Sequence, residues 1–134
     1  MSHVAVRAAL ETALNGITPA LATAWANTNF TPTADPYQIV DILFADPDSR
    51  TLGVAEYWEQ GYMQVRLMYP LAAGTKTAGA RAELIRSTFK RGNTFASSGI
   101  TTKIRWTPSV SGGQVEDGRW SVIVKIPFYA NITA

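Results

Sequence analysis

The sequence predicts an α+β domain in which a mainly antiparallel sheet carries two helices packed on one of its faces. Three observations lead there. Between Gly61 and Phe89 the hydrophobic period changes from two to nearly four, the mark of a strand handing over to an amphipathic helix. Near the start, Val6, Leu10, Ala13, Leu14 and Ile17 recur at i, i+4, i+7, i+8 and i+11, which gathers them on one helical face. Near the end, Trp120, Val122, Val124, Ile126 and Phe128 alternate with more polar residues, as on a half-buried strand. With 134 residues the chain reads as one domain over 1–134, long enough to bury roughly 65 to 70% of its unfolded surface.

Taken in order, Ser2 is an N-cap for a first helix that runs to Asn15, with Gly16 as a left-handed stop and Pro19 preventing resumption. A short strand over Ala22–Asn27, centred on Trp25, precedes turn chemistry with Pro32 and Pro36. Tyr37 to Ala45 is rich in β-branched and aromatic residues and reads as a well-covered strand. A loop from Asp46 to Ala55 connects it, as an extended hairpin, to the central strand, and is expected to be mobile in the free subunit and ordered on assembly. Along the central strand Met63, Val65, Leu67 and Tyr69 share one side. Extending that alternation backwards puts Tyr57 and Glu59 on the core side, so that either Gly61 is a bulge or the strand projects past the sheet. In the helix that begins near Thr77, the core stripe is Ala78, Ala82, Ile85 and Phe89, and Leu84 widens it. Gly92 ends the following turn and Phe95 anchors a connection. Ile100, Thr102, Ile104 and Trp106 form the inward row of a strand paired with the last one, across a mobile loop from Thr107 to Gly118. Pro127 makes that last strand an edge, or else directs its nitrogen away from a neighbour.

Composition and spacing remove most chemistry. Cysteine is absent and His3 is the one histidine, so no catalytic triad, cysteine nucleophile or histidine metal cluster can be built. Asp46-Pro47-Asp48 reads as a turn rather than a cation site, and Gly112-Gly113 lacks the Lys-Ser/Thr of a phosphate loop, so no cofactor or metal is expected. The tripeptides at Asn29 and Asn131 match a glycosylation pattern, but the N-terminal stretch does not read as a secretory signal. No apolar run reaches the ~20 residues that span a bilayer. Net charge is only +2, which by itself does not point to nucleic acid. The charged fraction of 16% falls below the usual value of about 25%, a composition compatible with surfaces that other subunits cover.

One constellation remains. The alternation sends Arg66, Lys103, Arg105 and Lys125 to the sheet face opposite the helices, together with Tyr62, Met68, Ile123 and Tyr129. Trp58 falls near an edge. This face reads either as the ordinary solvated side of an antiparallel sheet or as a contact for another subunit or a polyanion. On the subunit reading, Arg50 and Leu52 from the long loop join Trp58, Tyr62, Arg66, Lys103, Arg105 and Lys125 as a candidate assembly interface.

The chain resembles the tail terminator-like family of small phage tail-completion proteins. The residues that carry the likeness are Trp25-Ala26-Asn27 with Phe30 and Pro32, Thr51-Leu52-Gly53, Gly61-Tyr62 through Val65 to Tyr69-Pro70, Phe89-Lys90-Arg91-Gly92, Pro108-Ser109-Val110, and Gly118-Arg119-Trp120 before a closing Ile126-Pro127. Their order and spacing agree over almost the whole chain. The resemblance implies a non-enzymatic structural protein of the virion tail, made in the bacterial host cytoplasm. It implies an oligomeric ring, expected to be hexameric, that caps the head-proximal end of the tail tube. Its partners would be its own copies, the tail tube protein and a head-completion or connector protein, with DNA as passing cargo and no membrane. A related connector or minor tail component is the alternative role, and a nucleic-acid-binding module using the basic sheet face is a further one.

Overall fold

The computed structural model describes residues 2–18, 21–32, 36–47, 56–71, 74–116 and 118–133. Two helices, α1 (Ser2–Asn15) and α2 (Lys76–Thr88), accompany eight strands: β1 (Ala22–Ala24), β2 (Tyr37–Phe44), β3 (Glu56–Pro70), β4 (Thr94–Ser97), β5 (Ile100–Ile104), β6 (Ser109–Val110), β7 (Gln114–Glu116) and β8 (Arg119–Thr133). They form one sheet of order β1-β2-β3-β8-β5-β4, with β6 and β7 also paired to β8. All pairings are antiparallel except β1 with β2. The α+β class and the mainly antiparallel sheet are therefore as expected.

The centre of the sheet is the ladder between β3 and β8, unbroken from Glu56↔Thr133 to Pro70↔Arg119. Its core-side residues follow the expected parity: Met63, Val65, Leu67, Val122, Val124, Ile126 and Phe128 are all buried. Over them lie Val6, Leu10, Leu14 and Ile17 of α1 and Ala78, Ala82, Ile85 and Phe89 of α2 and its cap, in one hydrophobic cluster. Burial of this kind, at about 25 cal/mol per Å² of apolar surface, holds a short helix that its own propensity would not. Phe89 caps α2 by donating its N–H to the Ile85 carbonyl at 3.0 Å.

The unbroken register excludes a bulge at Gly61. Instead β2 stops at Phe44↔Gly61, so the first residues of β3 run on past it, paired to β8 alone. Gly61 is required there because a Cβ would run into the Leu43 carbonyl oxygen, where the β2 backbone crosses closely. Glu59 lies on the core side as expected and is buried. Burying an unpaired carboxylate costs several kcal/mol, and here His3, from the first turn of α1, pairs with it at 2.5 Å while stacking on Phe44 at 3.8 Å. The lone histidine thus ties α1 to β3.

Several expectations are corrected. Gly16 is not left-handed: its N–H donates to the Thr12 carbonyl, that of Ile17 to Leu14, and the tightened turn draws Ile17 into the core. The first strand ends at Ala24 rather than Asn27, because Thr28 folds back on the Trp25 carbonyl and Asn27 turns left-handed at φ 55°. Leu84 is exposed and does not widen the core stripe. That stripe contains instead the buried Arg81, facing Tyr69; burial pushes the Tyr69 hydroxyl up, and the arginine's charge offsets part of the rise. Phe95 sits in a strand, β4, packed against Phe89 at 5.2 Å. Residues 107–118 do not form a plain loop, since β6 and β7 lie within them and extend the outer edge of β8.

With β3 on one side and β5, β6 and β7 on the other, β8 is central rather than an edge. Pro127 is tolerated because its carbonyl accepts from the Arg105 N–H at 3.0 Å. The nitrogen of a strand residue faces the same side as its carbonyl, so the bond that proline cannot donate is the reciprocal one toward Arg105, at a point where β5 has already ended at Ile104. The expected mobility of 46–55 concerns residues that mostly lie outside those described.

Two substitutions test this core by urea unfolding. Leu67→Ala, which empties a fully buried position, should lower stability by about 2 to 5 kcal/mol. Gly61→Ala should cost about 1 to 3 kcal/mol despite its small size, because the displaced atoms are backbone. A neutral Gly61→Ala would contradict the close crossing of β2.

Candidate functional site

The face of the sheet turned away from the helices is built by the opposite parity of the same strands. Along β3 it takes Trp58, Gln60, Tyr62, Gln64 and Arg66; along β8, Ile123, Lys125, Pro127 and Tyr129, with Lys103 of β5 beside Tyr129. Arg105, just past β5, continues the row. Six of the eight expected interface residues are therefore on one face: Trp58, Tyr62, Arg66 and Arg105 half-buried, Lys103 and Lys125 exposed. Arg50 and Leu52 lie outside the described residues.

Contacts on this face are specific. Trp58 stacks on Tyr129 with ring centroids 5.0 Å apart. The Lys125 ammonium lies 5.0 Å over the Tyr62 ring, and an Arg105 guanidinium nitrogen donates to Gln60 Oε1 at 2.7 Å. Arg66 pairs with Glu116 of β7 at 3.5 Å. At the far end, Asn131 donates to Glu56 at 2.8 Å. The face is not uniformly open, however. Met68 shares its parity yet is buried, as are Tyr37 and Ser121 beside it; Phe30 packs on Tyr37 at 5.2 Å and Arg119 lies over the same ring at 4.7 Å.

Two grooves cross the open part. One, of about 450 Å³, is lined by Gln60, Tyr62, Arg105, Trp106, Lys125 and Pro127, with Gly61 and Phe128 beneath. The other, of about 400 Å³, lies between Trp58, Lys103, Tyr129 and Asn131. Trp106 was expected in the inward row, but β5 ends at Ile104, and Trp106 is 52% exposed with the Arg91 guanidinium 5.0 Å over its ring. A signal for this was present in the sequence: Pro108, two residues on, disfavours a continuing strand. Gln60, which braces Arg105, carried no such signal.

Chemically this face carries cations and aromatic rings. Among the described residues, no group of three or more histidine, aspartate or glutamate side chains is placed to hold a metal ion. No helix among them is long and apolar enough to cross a membrane.

Comparison with known proteins agrees with this geometry. No curated protein matches the chain. Ten chains of solved structures do; one, whose name states no function, is 26% identical, with a TM-score of 0.76 over 96% of this chain and 95% of that one. A family model described as phage tail terminator protein matches residues 5–128, from the first turn of α1 into β8, and so takes in part or all of every helix and strand. This chain belongs to the phage tail terminator protein family.

Proposed function

We propose that this protein, a structural component of a phage tail, caps the head-proximal end of the tail tube as a closed ring of copies, expected to be a hexamer. In that position it ends polymerisation of the tube and offers the surface on which the head docks. The observation that carries the reading is the family match over 5–128, and the unburied sheet face with its cations, rings and grooves supports it. A cap must meet unlike neighbours: copies of itself, the tube below and a head-completion or connector protein above. A ring subunit also needs two different surfaces that fit head to tail, each on the order of 800 Å² where the standard interface size applies. Trp58, Tyr62, Arg66, Lys103, Arg105 and Lys125 are the proposed assembly residues, together with Arg50 and Leu52.

The role is structural rather than catalytic, and DNA passes through as cargo without a binding site of its own. Assembly of the virion tail would take place in the host cytoplasm, where head and tail join.

Light scattering across a concentration series, alone and with purified tail tubes, tests the ring. A defined oligomer, formed alone at high concentration or on tubes, is the expected result. A chain that stays monomeric under both conditions would contradict the proposal.

A further inference from the structure

We propose that the groove at Tyr62, Arg105 and Lys125 docks an extended acidic segment of a different protein, one that carries carboxylates beside apolar side chains, rather than a second copy of this chain. The inference rests on reading the mixed sheet face as an assembly surface and names the chemistry of the partner.

The groove has an apolar floor and a cationic rim. Pro127 lies below, beside the strand positions of Gly61 and of Phe128, whose side chain is in the core, and Arg105 and Lys125 also line the groove, with no carboxylate among the lining residues. Among the described residues no carboxylate reaches ion-pair distance of Lys103, Arg105 or Lys125, whereas Arg66, on the same face, has Glu116. The hydrogen bond to Gln60 holds the Arg105 guanidinium at the groove wall. A partner carboxylate there would meet a charge already positioned, which limits the side-chain entropy lost on binding.

Two observations choose the class of partner. Both rings that line the groove already carry a cation on one face, Lys125 over Tyr62 and Arg91 over Trp106, and in the neighbouring groove Trp58 is stacked on Tyr129. That leaves fewer faces on which nucleotide bases could stack, and favours a polypeptide. Among the described residues, five of the seven acids have side-chain partners, the other two being Asp41 and the exposed Asp46. Glu11 pairs with Arg7, Glu83 with Arg86, Glu116 with Arg66 and Glu59 with His3, while Glu56 accepts from Asn131. Asp41, paired across β3 to Gln64 and so on the cationic face itself, cannot complement that face in a head-to-tail contact. Among the described residues a second copy therefore offers this groove few unengaged carboxylates, Asp46 being the exception.

The test uses fluorescence anisotropy with three labelled probes of equal length: a peptide of repeating Glu-Leu-Glu-Pro, the same peptide with lysine for glutamate, and an oligothymidylate. The protein should bind the glutamate peptide in preference to both others. Lys125→Glu, at an exposed position, should weaken that binding about tenfold or more. Thermal melting confirms that the variant is folded, and Trp106→Ala, on the same groove wall, should also weaken binding if the fold proves sensitive to Lys125→Glu. Light scattering of the unaltered protein separates this inference from the ring, because a ring that forms without preference for the glutamate peptide overturns the groove assignment alone, and peptide binding by a chain that stays monomeric overturns the ring alone. Equal binding of the two peptides, tighter binding of the oligothymidylate, or no binding at all would each overturn the assignment.

Discussion

The ladder between Glu56–Pro70 and Arg119–Thr133 is the constraint on which the rest of the molecule depends. Its unbroken pairing forces side chains to alternate between two faces over its whole length, so one register decision sorts the chain into a core and an outer face of cations and rings. A slip by one residue would exchange Val122 and Val124 for Ile123 and Lys125. The burial of Met63, Val65 and Leu67 beneath both helices makes that slip costly. The position of the cations on the outer face is thus a consequence of packing on the inner one.

The same logic explains the local features at the ends of the ladder. Where β2 stops, β3 continues with β8 alone, and its core-side row reaches Glu59. The carboxylate is accommodated because the first turn of α1 brings His3 to it, against the ring of Phe44. Phe44 in turn meets Phe128 edge-on at 5.7 Å, on either side of the position that only glycine can occupy. At the other edge of β8, β5, β6 and β7 follow one another, and Pro127 falls in the gap between the first two. Tail terminator family membership thus goes with a sheet that has one face sealed by helices and the other carrying cations, rings and grooves.

Legibility in the sequence followed the range of the forces involved. Strands β3 and β8 and both helices were readable because each carries enough apolar residues in period to stand out from its surroundings. Strands β4, β6 and β7 were not, since segments of two to four residues such as Ser109–Val110 are strands only because β8 or β5 already offers an edge to pair with. Gly16 invited a left-handed cap, but Ile17 is better buried by a tightened turn. Arg81 was legible as a helix residue and not as a buried one, because its place against Tyr69 depends on how α2 sits over the sheet. The outer face was readable through parity alone, which placed Tyr62, Arg66, Lys103 and Lys125 together. Trp106 and Gln60 escaped because their roles depend on where β5 ends and on a side-chain contact with Arg105.

The central claim is that this protein stops a growing tube by occupying its head-proximal end, and the length of tubes observed by electron microscopy tests it most directly. Tail tube protein assembled with this chain present should give tubes of limited length, each with extra density at one end that an antibody to this chain labels. Tubes that grow to the same lengths with and without it, or label along their sides rather than at one end, would contradict the account.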